Sequence, residues 1–148
     1  MTIEIRELGD DDFFAWLPLF DAYCRFAETS LDDQKALVVW NWLRDAGNPF
    51  TGVAAVDAEG ALAGIAHYRQ VPHSLAATTG VFLDDLFVAP ERRRQGIGRA
   101  LVEHVRTESV RHGSGGVAWE TPADDEAAQR FSDGLATRTG LVGYELSA

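Results

Sequence analysis

The chain has 148 residues, 46% of them hydrophobic and 10% aromatic, enough to bury a core and too apolar for a disordered polymer. A formal net charge of −10 argues against a nucleic-acid surface, and no apolar run approaches a membrane span, so neither partner is expected. We expect one domain over residues 1–148, in a soluble cytoplasmic protein. Cys24 is the sole cysteine, which excludes an internal disulfide, and its apolar helical surroundings suit a buried structural thiol better than a nucleophile. The opening residues 1–7 alternate charged and apolar side chains, unlike a signal peptide.

Ile3 and Ile5 predict a first strand near Thr2 to Glu7. Asp10, Asp11 and Asp12 can cap a helix whose apolar residues Phe13, Trp16, Leu17, Phe20, Tyr23, Cys24 and Ala27 recur at three- and four-residue spacing. Ser30, Asp32 and Asp33 open a second helix that packs Leu37, Trp40 and Leu43 and stops at Gly47-Asn48-Pro49. Val53 to Val56 and Ala61 to Arg69 read as a hairpin, followed by a loop with Pro72 and His73 and a strand near Val81 to Val88. A glycine-led helix then runs to about His112. A strand at Val117 to Glu120, a helix from Asp124-Asp125 to about Leu135 and a last strand at Leu141 to Glu145 complete the chain. The order β-α-α-β-β-β-α-β-α-β indicates an α/β (α+β) fold, a mixed sheet covered by helices.

The segment V-A-P-E-R-R-R-Q-G-I-G-R-A-L, from Val88 to Leu101, carries the most chemical information. Gly96 and Gly98 lead into a helix whose first backbone N–H groups lack partners and sit at the positive end of the dipole. Arg92, Arg93 and Arg94 precede it, and four of the thirteen basic residues fall between Arg92 and Arg99. Together they read as a phosphate or pyrophosphate site in an otherwise acidic body. A dinucleotide fingerprint is excluded because Leu101 stands where its third glycine would be. A P-loop is excluded because Lys35 is the only lysine.

The stretch Leu83 to Leu101, with Arg93-Arg94-Gln95-Gly96-Ile97-Gly98 at its centre, resembles the acetyl-CoA-binding segment of the GNAT superfamily of N-acetyltransferases and meets its signature Gln/Arg-x-x-Gly-x-Gly/Ala. Trp119-Glu120-Thr121 and Ala128 to Asp133 resemble the strand and helix that follow it. The resemblance implies a single-domain, twisted, mostly antiparallel sheet flanked by helices. It also implies acetyl-CoA as co-substrate, and direct attack on the thioester by a primary amine of a small molecule or basic peptide. The family commonly has two strands after the last helix. This chain has room for one, so a partner subunit completing the sheet edge, a homodimer, is a further expectation.

By the same resemblance the cofactor lies on the backbone of Leu86, Phe87 and Val88 and on the loop Arg93, Arg94, Gln95, Gly96, Ile97, Gly98 and Arg99. Asp125, Ala128 and Phe131 belong to the helix beside it. Candidate bases or ammonium anchors are Asp85, Asp84 and Glu120; strand alternation would point Asp84 and Asp85 to opposite faces. Ser132 stands where the family often has the tyrosine that protonates the departing thiolate, and Asp125 where it usually has asparagine. Ser132 acting through water, Tyr144, or unaided departure would fill the first gap. These departures keep open an alternative, a catalytically weak acyl-CoA-binding or regulatory module. Glu28, Asp32 and Asp33 in the joint between the first two helices read either as an acidic acceptor wall or as helix caps. His67 and His73 could act as bases, though a surface or satisfied role suits them as well. Trp16, Trp40, Trp42 and Trp119 are read chiefly as core. No spacing suggests a metal.

Overall fold

The computed structural model describes residues 2–113 and 115–148. Strands β1 (Ile3–Glu7), β2 (Phe50–Asp57), β3 (Leu62–His73), β4 (Thr78–Val88) and β5 (Val117–Ala118) form one sheet in the order β1-β2-β3-β4-β5. All neighbours are antiparallel except β4 and β5, which are parallel. Helices α1 (Phe13–Phe26) and α2 (Asp33–Arg44) cover one face, where Trp16, Phe20, Trp40 and Leu43 pack on Ala54, Ile65 and Phe87. Helix α3 (Ile97–Arg111) covers the other, where Ile97, Leu101, Val102 and Val105 meet Val53, Ala66, Val81 and Leu83. Helix α4 (Glu126–Asp133) lies beside the start of α3, with Phe131 against Gly98. The expected mixed, mostly antiparallel sheet between helices is thus observed.

Acidic residues start the helices, though not all as expected. Asp32 accepts from the Lys35 amide at 2.8 Å and Asp125 from the Ala128 amide at 3.0 Å, which fixes the starts of α2 and α4. Asp12 instead turns back. It accepts from the Gly9 amide at 2.7 Å and from Arg6 at 2.7 and 3.1 Å, closing the single turn of residues 10–12 onto β1. The hydrogen bond from Arg6 holds the Asp12 carboxyl below its usual range despite burial. Its stabilising contribution is therefore present above about pH 4 and is lost as pH falls through the lowered value. Asp12→Ala is expected to cost about 1–2 kcal/mol at neutral pH. Urea denaturation curves of the two proteins should converge as the pH falls below the usual carboxylate range.

The strands depart from expectation at three places. The ribbon of β3 and β4 is longer, and takes in Pro72 and His73, which pair with Thr79 and Thr78. Proline is tolerated there because β2 stops pairing at Phe50↔Arg69, leaving that part of β3 with a neighbour on one side only. The strand expected at Val117 to Glu120 pairs with β4 over only Val81↔Val117 and Phe82↔Ala118. Beyond Phe82, β4 turns a free edge away from β3. The expected last strand, Leu141 to Glu145, joins no sheet: residues 137–148 carry no regular structure, and Leu141, Val142, Tyr144 and Leu146 are 75–97% exposed. Trp42, expected in the core, is 44% exposed and stacks on Phe50.

Candidate active site

The free edge of β4 carries a bulge with chemical consequences. His67 pairs with Asp85 but Tyr68 pairs with Leu83, so Asp84 is one residue too many for the ladder. Before the bulge Val81 and Leu83 point to the α3 side; after it Leu86 and Val88 do. The alternation changes phase, and Asp84 and Asp85 project to the same face rather than to opposite ones. Their partners, His67 and Arg69, stand two residues apart on β3 and share that face. Asp84 accepts from Arg69 Nε at 2.9 Å, and the same guanidinium lies over Phe82 at 5.2 Å.

Asp85 sits in a buried network reaching into α1. His67 is 1% exposed. Trp16 Nε1 donates to His67 Nε2 at 3.0 Å, which makes Nε2 an acceptor and leaves the ring hydrogen on Nδ1. Nδ1 donates to Asp85 Oδ2 at 2.9 Å, and the Tyr23 hydroxyl donates to the same carboxylate. Burial pushes the Asp85 carboxyl up, but the hydrogen bond and electrostatic attraction of His67, with a smaller share from Tyr23, outweigh it and hold the group below its usual range. Burial and the neighbouring Asp85 charge push the Tyr23 phenol far up, so it stays a donor. In the sequence the pattern Trp16, Phe20, Tyr23 reads as a core stripe, and the polar atoms of Trp16 and Tyr23 that serve this network give no separate signal. Arg69 gives none either, because the bulge that pairs it with Asp84 leaves no mark in the sequence.

The glycine-led bend lies just past Val88. A short 3-10 turn at Pro90–Arg92 is followed by Arg94 at φ 63° and Gly96 at φ 79° before α3 begins. Among the described residues, no acceptor in the protein takes a hydrogen bond from the amides of Arg94 to Arg99. A Cβ on Gly96 would meet open space, so the backbone there is accessible to a ligand. Gly98 serves packing instead. A Cβ there would stand 3.3 Å from the Phe131 ring, so its absence lets α4 close over the start of α3. The arginines also divide. Arg92 ties the bend to the β2–β3 turn through Asp57 at 2.9 Å. Arg93 donates to the Val88 carbonyl at 3.1 Å and covers the rings of Phe26 and Phe87 at 5.7 and 5.3 Å. Arg94, Gln95 and Arg99 are exposed at the bend itself.

A free strand edge running into unpaired amides at a helix start suits a ligand with a flexible amide-bearing arm and an anionic end. The profile of the acetyltransferase (GNAT) family matches residues 12–133. The chain belongs to the GNAT acetyltransferase family. This N-acetyltransferase is 28% identical to a D-amino-acid N-acetyltransferase of Saccharomyces cerevisiae, over 97% of this chain and 89% of that one. In structure it is similar to a ribosomal-protein-alanine N-acetyltransferase from Brucella melitensis biovar Abortus (TM-score 0.83, 16% identity, all of both chains). It is also similar to an aminoglycoside acetyltransferase from an uncultured soil sample, solved with sisomicin (TM-score 0.80, 19% identity, 99% of this chain and 96% of that one). These two structures show the shared fold.

The remaining candidates are divided between the end of β5, the helix α4 with the tail beyond it, and the joint of α1 and α2 in this N-acetyltransferase. Ser132 accepts from Trp119 Nε1 at 2.8 Å, fastening α4 to the end of β5 while its own hydroxyl hydrogen stays available. Asp125 is occupied as the cap of α4, and Ala128 is the residue whose amide it holds. Glu120 is exposed at the far end of β5, and among the described residues no hydrogen bond or ion pair joins it to Asp84 or Asp85. Tyr144 is 96% exposed beyond α4. Lys35 donates its amide to Asp32 and its Nζ to the Ser30 carbonyl at the start of α2, so the joint's acids include a structural cap. Cys24 is buried, and burial pushes its thiol up, which suits a structural role. No group of His, Cys, Asp and Glu among the described residues could hold a metal, and no helix among them is long and apolar enough to cross a membrane.

Proposed function

We propose that the protein transfers the acetyl group of acetyl-CoA to a primary amine of a small molecule or basic peptide by direct attack. The observation that carries this reading is the run of unpaired amides from Arg94 to Arg99 continuing the free edge of β4, with the Asp85 carboxylate on the same strand. When bound, acetyl-CoA supplies an activated thioester. The amides at the bend bind the pyrophosphate, favoured by the helix dipole and by Arg94 and Arg99. The edge of Leu86, Phe87 and Val88 pairs with the amide-bearing arm, and a free N–H of that edge polarises the thioester carbonyl. Phe87, with Phe26 and Arg93 against its ring, lines the α1 side.

Asp85 is the group we assign to the acceptor. An ionised, half-buried carboxylate fixed by His67 and Tyr23 pairs with an ammonium and orients it. A carboxylate this acidic is a poor base toward a free ammonium. It becomes competent as the C–N bond forms, because the nitrogen then grows far more acidic. Asp84, already neutralised by Arg69, positions the bulge. Relatives named for a D-amino acid and an aminoglycoside lend support to a compact amine-bearing acceptor. We read the enzyme as cytoplasmic, in keeping with its lone buried free thiol.

The test is thiol release from acetyl-CoA across a panel of amines; binding of acetyl-CoA without amine-dependent release would favour the weak-module alternative. Ser132→Ala leaves the Trp119 N–H unpaired and is expected to cost about 1 kcal/mol in thermal stability. Because a thiolate leaves readily, its kcat should fall by less than about tenfold, a drop of about 1.4 kcal/mol. A larger loss would assign the leaving-group proton to Ser132.

A further inference from the structure

We propose that Arg69 is a second anchor in the acceptor site, and that the acceptor is a zwitterion: an amine that carries a carboxylate a few bonds away, such as a free amino acid. The inference rests on the acetyl-transfer reading above and narrows it, setting a zwitterion against a purely cationic amine or a basic peptide. It starts from where the helical cover of the sheet stops. His67 and Arg69 project to the same face of β3. His67 lies under Trp16 and Phe20 of α1 and is 1% exposed, whereas the Arg69 side chain is 38% exposed. The Asp85 carboxylate, across the ladder from His67, is 25% exposed at the same boundary.

Arg69 is the only arginine of β3 and β4. Its guanidinium is held at one end. Nε donates to Asp84 Oδ2 at 2.9 Å, and the group lies over the Phe82 ring at 5.2 Å. Among the described residues, the four N–H groups of Nη1 and Nη2 donate to no acceptor in the protein. An arginine that serves only to neutralise a carboxylate commonly meets it with two parallel bonds. This one makes a single bond from its inner nitrogen, and its outer pair stays unspent on a fixed, half-exposed group.

Two anchors of opposite sign suit a ligand that bears both charges. Asp85 pairs with His67 and stands diagonally across the ladder from Arg69, a spacing of about 7–8 Å between diagonal neighbours. Both side chains lean over the same face. An ammonium paired with Asp85 therefore leaves a carboxylate a few bonds away within reach of Nη1 and Nη2, which can grip it with two bonds. A purely cationic acceptor leaves those donors without a partner and sets a like charge beside its own.

Alanine and phenylalanine of both hands, each beside its amide and its decarboxylated amine, test this by thiol release from acetyl-CoA. The best-accepted amino acid should exceed its amide and its amine by about tenfold or more in kcat/KM, chiefly through KM. The amide carries the less basic amine, so intrinsic reactivity runs against that order. Arg69→Gln should abolish the preference, with the fold verified by near-UV circular dichroism. Because this variant also releases Asp84, the pair Arg69→Gln with Asp84→Asn is measured beside it, and there the preference should stay lost. Its return in the double variant would assign the effect to the freed Asp84 charge and overturn the anchor. A wild type that takes the amide or the amine as readily as the amino acid overturns it too. Thiol release from none of these compounds would count against acetyl transfer itself. Calorimetric titration of the same compounds then decides the anchor: the acid should bind more tightly than its amide to the wild type and not to Arg69→Gln, and equal binding to the wild type overturns it.

Discussion

Asp85→Asn is expected to lower kcat/KM for the amine by about a hundredfold or more while leaving the affinity for acetyl-CoA within a factor of about three. Asparagine keeps the shape; its Oδ1 can still accept from His67 Nδ1, and its amide can donate to the Tyr23 hydroxyl oxygen, so the network around it can stay closed. What it lacks is charge and basicity. It neither pairs with an ammonium nor receives a proton as the C–N bond forms. The effect should be confined to the acceptor side, because Asp85 faces α1 while the bend proposed to bind the cofactor lies past Val88. Asp84→Asn is the control. Its carboxylate is engaged by Arg69, and its loss should change kcat/KM by only a fewfold. Steady-state kinetics on both variants, with calorimetric titration of acetyl-CoA, separates the roles. Full activity in Asp85→Asn would remove Asp85 from the mechanism.

Gly96→Asp should weaken acetyl-CoA binding by about a hundredfold or more, since a like charge set beside the pyrophosphate costs several kcal/mol. The position is chosen for its surroundings. A Cβ at Gly96 meets open space, and at φ 79° aspartate and asparagine are the side chains best able to adopt the backbone. Gly96→Asn therefore carries the same strain without the charge and should retain most of the affinity. Gly98→Asp would confuse the result, because any side chain there also drives into Phe131 and levers α4 away. Equal affinities for Gly96→Asp and Gly96→Asn would mean that no phosphate lies on this bend.

The helices and the bend are legible in the sequence because their signals are local. Three- and four-residue spacing in α1, a cap at Asp32 and glycines before α3 each follow from neighbours in the chain. The catalytic candidates are legible in identity and not in geometry. Simple alternation sends Asp84 and Asp85 to opposite faces, since a bulge depends on how β3 and β4 pair, which no local pattern encodes. His67 is visible as a residue, but its partners Trp16 and Asp85 lie on α1 and β4, so its orientation is a tertiary fact. Likewise Arg93 reads as a phosphate ligand from its place in a basic run, while the way its guanidinium lies across Phe26 and Phe87 is again a tertiary fact. The pattern of Leu141 to Glu145 is strand-forming, yet a strand needs an edge to join, and its own molecule brings none to it.

The surplus residue at position 84 also sets how this protein can tolerate changes in length. Were Asp84 removed, the ladder would become regular, but one half of β4 would have to trade sides relative to the other. Either Val81 and Leu83 would leave the α3 layer, or Leu86 and Val88 would, and in the second case Asp85 would swing out from beneath Tyr23. A shortening by a single codon here would therefore be far more damaging than most replacements at the same spot.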